Sequence, residues 1–124
     1  MNKEETTIGL IFLSKKFYEI GTKTIISLLE ETGYFEYFDK ISAEDIEVLL
    51  KKNSDQIEEW FGYSEDQRCG PAYFIEKKND SSYMIKYIEG DKINLISEYS
   101  DPIKCCANFI KYEVEKIRNN VLKI

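Results

Sequence analysis

AYFIEKKNDSSYMIKYIEGDKINLISEYSDPIKCCANFIKYEVEKIRNNV, residues 72–121, holds two hydrophobic periods in succession, and the switch between them sets the fold class. Ala72 to Lys77 reads as a strand. Asn79-Asp80-Ser81 turns the chain into a second strand, Tyr83 to Ile88, where Tyr83, Ile85 and Tyr87 share a face. Glu89-Gly90-Asp91 turns it into a third, Ile93 to Tyr99. Runs rich in β-branched and aromatic residues between such turns predict an antiparallel meander. After Tyr99 the period lengthens. Asp101 is placed to cap a helix, and Pro102 falls at the first helical position, where its missing N–H costs nothing. Ile103, Cys106, Ile110, Val114, Ile117 and Val121 follow at spacings of three and four, one buried stripe on a helix of about five turns that should cross one face of the meander. Lys104, Lys111, Glu115 and Arg118 fall largely away from that stripe and are expected on its solvated side.

The N-terminal half reads as helices. Over Lys3 to Glu31, the residues Leu10, Leu13, Phe17 and Ile20, then Ile25, Leu28 and Leu29, recur at helical spacing, with a break at Gly21. Ile8 to Leu13 is short enough to be helix or strand. Gly33 ends this region, and Tyr34, Phe35, Tyr37 and Phe38 form an aromatic connection packed on the core. Ser42 is an N-cap with Asp45 three residues on, and Ile46, Leu49 and Leu50 are the apolar stripe of a helix that stops near Asn53. Asp55 to Tyr63 is open between helix and strand: Ile57, Trp60 and Phe61 have helical spacing, but aromatics favour strands. The expectation is a single α+β domain over residues 1–124, with N-terminal helices, a three- to four-stranded antiparallel sheet and a C-terminal helix packed across it.

Composition bounds the chemistry. The 124 residues include no histidine, which excludes Ser-His, Cys-His and His-metal sites. P-loop, dinucleotide, EF-hand and CxxC zinc motifs are missing, so no cofactor or metal is expected. Cys105 and Cys106 begin a helix, where the dipole can lower a thiol pKa, but Cys106 lies on the buried stripe and reads as a core residue. Cys69, beside Gly70-Pro71, is the third cysteine, and the odd count suggests no disulfide framework. The start of the chain carries acids where a basic leader would sit, and no apolar run is long enough to span a bilayer, so a reduced cytoplasm is the expected location.

The net charge of −6 is uneven. Residues 30–66 hold twelve acids and three lysines, a net of −9, while the flanking segments are slightly basic. Such a field attracts cations or basic proteins and repels nucleic acid. A solvated helix face is the bland alternative. The candidate partner-contact residues are Glu44, Asp45, Glu47, Glu58, Glu59, Tyr63, Glu65 and Asp66, with Tyr63 taken as exposed beside the anchor Trp60 and Arg68 as an ion-pair partner of Glu65 or Asp66.

Trp60…Ser64-x-Asp66-x-Arg68 runs into the aromatic strand Ala72-Tyr73-Phe74-Ile75, and Ser100-Asp101-Pro102 leads into a Cys-Cys-Ala…Phe-Ile helix. With its size and acidity, the chain resembles over residues 60–118 the small immunity proteins of bacterial polymorphic-toxin and contact-dependent-inhibition systems. The resemblance implies a stoichiometric inhibitor made in the cytoplasm beside its toxin, here a basic, nuclease-like toxin domain. A Lys/Ile/Asn-rich composition suits an AT-rich bacterial genome. A small regulatory or adaptor domain binding another basic protein is the alternative, and an enzyme ranks behind both.

Overall fold

Cys105, Cys106, Ala107, Phe109, Ile110, Glu113, Val114 and Ile117 are all buried on one helix, a wider belt than a single stripe. The computed structural model describes residues 1–67 and 70–122. This helix, α7 (Pro102–Leu122), runs through the middle of the domain. The Ile103 N–H donates to Asp101 Oδ1 (2.9 Å), so the expected cap forms. One side of α7 packs on the sheet β1 (Ala72–Asn79), β2 (Ser82–Glu89) and β3 (Lys92–Tyr99). Its other side packs on the N-terminal helices.

The sheet is an antiparallel meander of order β1-β2-β3. Ile75 pairs with Ile85 and Tyr73 with Tyr87 across β1 and β2, while β3 carries a bulge where Ile85 opposes Ser97 and Lys86 opposes Leu95. Ile96 is the extra residue. Tyr83 and Ile85 face α7 and are buried, as their shared face predicts. Gly70 sits against β2: a Cβ there would lie 2.7 Å from the Ile88 carbonyl oxygen, so only glycine fits.

The N-terminal half is helical throughout: α1 (Lys3–Ile11), α2 (Leu13–Ile20), α3 (Ile25–Glu31), a single turn α4 (Tyr34–Tyr37), α5 (Ala43–Leu50) and α6 (Gln56–Asp66). Both open assignments therefore resolve to helix. Ile8 to Leu13 belongs to α1 and α2, which meet at Phe12, and Asp55 to Tyr63 leads into α6. Gly21 caps α2 with φ 68°, the break expected there. Ile20 departs from the expected stripe, being 37% exposed in the last turn before that break. Ser42 and Asp45 close a reciprocal capping box on α5, Asp45 N–H to Ser42 Oγ at 3.2 Å and Ser42 N–H to Asp45 Oδ2 at 2.9 Å.

The solvated side expected for α7 is corrected. Lys104 is exposed, but Lys111, Glu115 and Arg118 meet the aromatic connection. Lys111 Nζ donates to Tyr34 Oη (2.8 Å) and to the Phe38 carbonyl (2.9 Å). Tyr34, fully buried, donates its hydroxyl to Glu115, and Arg118 grips both Glu115 oxygens at 3.1 Å with its guanidinium 3.8 Å from the centre of the Phe38 ring. The cause is the position of α7 between two layers: a helix flanked on both sides leaves little of its circumference to water. Burial pulls the Glu115 carboxyl upward, but Arg118 and Tyr34 outweigh it and hold the pKa below the ordinary 4.5.

Ile110→Asp should unfold most of the population, since it buries a charge at a fully enclosed site. Lys111→Asp should also cost stability, about 1–3 kcal/mol, by stranding the Phe38 carbonyl and setting a carboxylate beside Glu115. Denaturant midpoints of the two variants measure both. The depressed Glu115 pKa stabilises the fold above the ordinary carboxylate range, and that contribution is lost as pH falls through the folded value. Glu115→Gln should therefore flatten the acid limb of a stability–pH curve below about pH 4.5.

Candidate functional site

Helix α6 has two unlike sides. Ile57, Trp60, Tyr63 and Ser64 are buried, and Glu58, Gly62, Glu65 and Asp66 are exposed, with Glu59 half-buried at the margin. Trp60 Nε1–H donates to the Ile11 carbonyl (2.8 Å), and its ring meets Tyr63 and Phe109 edge-on at 5.1 and 6.1 Å between centroids. Ser64 Oγ accepts the Ile75 N–H at 2.6 Å, tying α6 to β1.

Tyr63 is corrected from the expected contact surface: it is only 2% exposed. Its hydroxyl donates to Glu113 Oε2 (2.6 Å), itself on the buried belt of α7 with Lys116 Nζ 3.1 Å from Oε1. Burial and the Glu113 charge push the Tyr63 phenol pKa well above its usual value. The physical reason is register. Once Trp60 faces the core, Tyr63 three residues on shares its side.

The same register gathers the acids. Glu58, Glu59, Gly62, Glu65 and Asp66, with Tyr18 of α2, line one open concavity of about 450 Å³. Gly62 stands at its centre, three or four residues from each of the four carboxylates, and a Cβ built there meets nothing within 4 Å. The Tyr18 hydroxyl donates to Asp66. Partial burial, the Asp66 bond and the Asp66 and Glu59 charges raise the Tyr18 phenol to about 12, a measure of how negative this surface is. Among the described residues, Glu58 and Glu59 have no ion-pair partner.

The acids of α5 lie apart from this cluster. Asp45 closes the capping box and pairs with Lys3 (3.2 Å). Its pKa is lowered by the Ser42 N–H and further by Lys3. It shares a separate concavity with Lys3, Glu4, Val48 and Lys52, so cations dilute the charge there. Glu44 is exposed and Glu47 half-buried on the same helix. The structure thus brings together Glu58, Glu59, Glu65 and Asp66 and leaves Glu44, Asp45 and Glu47 elsewhere. Tyr18 and Gly62 were not among the expected site residues. Assigning residues 56–66 as helix would have exposed Gly62, because the i±3 and i±4 positions around it are all acidic. Arg68, expected as an ion-pair partner, and Cys69 lie outside the described residues.

Cys105 and Cys106 are both buried, and burial raises the Cys105 thiol to about 12 and Cys106 well above its ordinary value. Desolvation overrides any help from the start of α7, so both sulfurs stay protonated at neutral pH. Among the described residues no group of three or more acidic or cysteine side chains is disposed to hold a metal ion, and no helix is long and apolar enough to cross a membrane. No protein-family model, curated protein or solved structure matches the chain.

Tyr63→Phe should cost about 2–3 kcal/mol by leaving the buried Glu113 carboxylate short of a donor. The double change Tyr63→Phe with Glu113→Gln should recover part of that loss, a coupling that a double-mutant cycle on urea melts will read directly. Iodoacetamide at about pH 8 should leave Cys105 and Cys106 unlabelled in the native protein and label both after denaturation, as resolved by peptide mass spectrometry.

Proposed function

We propose that this chain is a binding protein of the immunity type, which holds a basic toxin domain inactive on the outer face of α6. The observation that carries the reading is the arrangement around Gly62. A glycine inside an exposed helix costs about 0.5–1 kcal/mol relative to alanine. Here no close approach of another group accounts for it, since a Cβ would stand in open space. What the missing side chain leaves is a hollow within one helical turn of four carboxylates. A lysine or arginine from a partner fits that hollow, with its charge shared by the four acids and its stem lying where a side chain of α6 would otherwise be.

Electrostatics favour the same occupant. Two charges about 7 Å apart in water interact by roughly 0.6 kcal/mol, so the carboxylates around the hollow together make a local term that still yields to salt. The face would accelerate encounter with a basic partner and contribute less to the lifetime of the complex. Thiol catalysis is the weaker reading, because the two described cysteines are buried and protonated. A cytoplasmic location beside the toxin belongs to this proposal.

The test uses stopped-flow association kinetics with the basic toxin domain that this reading requires, sought in the product of the adjacent gene. Reversing Glu58, Glu59, Glu65 and Asp66 to lysine should cut the association rate at least tenfold at low salt and abolish its salt dependence. Gly62→Lys is the sharper variant. It places a cation in the hollow from within, so the melting temperature should rise, by about 1–2 kcal/mol of added stability from helix propensity and ion pairing, while partner binding falls. A Gly62→Lys protein that is stabilised yet binds at the wild-type rate would remove the α6 face from the interface.

A further inference from the structure

Three of the exposed large apolar side chains lie close together on one strand: Ile93, Leu95 and Ile96 are 55%, 59% and 40% exposed, and all belong to β3. Among the described residues β3 is also an edge of the sheet, hydrogen-bonded to β2 on one side only. The other edge is handled differently. The Ile75 N–H of β1 is bonded to Ser64 of α6, and α6 packs along that strand. Exposed edges with apolar side chains are templates for pairing, and proteins usually blunt them with charge, proline or a cover. Over Ile93 to Ser97 the strand has no charged residue.

We infer that β3 is a self-association edge, on which a second copy of this chain pairs antiparallel to form a continuous six-stranded sheet. The register follows from the faces. Ile85 faces α7, so Lys86 and Ile88 face away from it, and their partners Leu95 and Ile93 share that outer face. Opposed residues in an antiparallel pair lie on the same face, and the bulge at Ile96 ends regular pairing at Leu95. A two-fold axis at Asn94 satisfies both conditions. Ile93 then opposes Leu95 of the second copy and Asn94 opposes Asn94, with Lys92 beside the bulged Ile96. Ile93 and Leu95, the two apolar side chains of the outer face, are matched across the axis, and no like charges are directly opposed, the arrangement that favours cross-strand pairs.

The occupant is argued from charge. The surplus of −9 lies in residues 30–66, and its α6 cluster belongs to a helix packed on β1, two strands from this edge. A basic partner is drawn to that cluster and finds nothing complementary on β3. A second copy fits β3 because a two-fold axis at Asn94 sets Ile93 of each chain against Leu95 of the other, and this approach keeps the two acidic faces apart. Three regularly paired residues from each chain make a small interface, so the dimer is weak, with a Kd on the order of 100 µM. The inference stands apart from the toxin-binding reading, and either can fail alone.

Sedimentation velocity on the full chain under reducing conditions, from about 10 µM to about 1 mM, should show a mass rising toward twice the monomer's. Leu95→Lys should hold it at the monomer with an unchanged melting temperature, since the side chain is already exposed. In a Cys69→Ser background, Asn94→Cys should cross-link into a disulfide dimer under mild oxidation at least tenfold faster than Ser81→Cys at the distant hairpin turn. A wild-type chain that stays monomeric throughout overturns the inference. So does a dimer that survives Leu95→Lys, or one in which Asn94→Cys links no faster than Ser81→Cys. If the chain is monomeric and Leu95→Lys instead weakens capture of the basic domain, the edge belongs to a strand of that partner and the self-association reading is wrong.

Discussion

The hydrogen bond from Tyr63 to Glu113 joins the two helices on which the architecture turns. Glu113 sits 2% exposed in the middle of α7. A carboxylate so placed costs several kcal/mol unless donors reach it. The Tyr63 hydroxyl is one such donor and the Lys116 ammonium lies beside the other oxygen. The requirement fixes the rotation of α6 about its axis. With Tyr63 turned to Glu113, Trp60 turns to Ile11 and Phe109, Ser64 turns to β1, and the four acids have nowhere to go but outward. The surface chemistry of α6 thus follows from a polar contact in the core.

Most of the architecture was legible because the elements that define it have strong periods. The meander, its two turns and the Asp101-Pro102 start of α7 all appear where alternation, turn residues and capping place them. Less legible were the elements whose period is short. Ile8 to Leu13 and Asp55 to Tyr63 have apolar runs that suit either geometry, and tertiary packing decides between them. The solvated side expected for α7 failed for a different reason. A one-stripe reading assumes that a helix has one neighbour. α7 has a sheet on one side and helices on the other, so Lys111, Glu115 and Arg118 find partners in Tyr34 and Phe38. Nothing in the local sequence of α7 announces a second neighbour. The hint lay in Tyr34, Phe35, Tyr37 and Phe38, more aromatic surface than a connection needs.

The candidate site was legible in composition and illegible in grouping. The count of twelve acids in residues 30–66 locates the charge. It does not say that Asp45 serves a cap and a lysine, or that four others share one hollow. Tyr63 was misplaced because tyrosine suits both surfaces and cores, and only the orientation of Trp60 separates the cases. A buried acid such as Glu113 is the least legible of all, since a glutamate on a helix is exposed unless a partner holds it.

The outer face of α6 works against its own helix, and the magnitudes show how it persists. Gly62 costs about 0.5–1 kcal/mol in propensity. The acids are arranged to limit the rest: Glu58 and Glu59 stand two turns from Glu65 and Asp66, so no two of the four are three or four residues apart, the spacings at which like charges repel most along a helix. What remains is a few weakly screened repulsions of a fraction of a kcal/mol each. Against them stand full burial of Trp60 and near-full burial of Tyr63, each worth about 2–3 kcal/mol, together with three hydrogen bonds made by Trp60, Tyr63 and Ser64. The inner side therefore outweighs the outer by several kcal/mol. A helix held that firmly from within can keep an unfavourable surface, and the glycine that separates the two acid pairs is also the residue that leaves room for a cation between them.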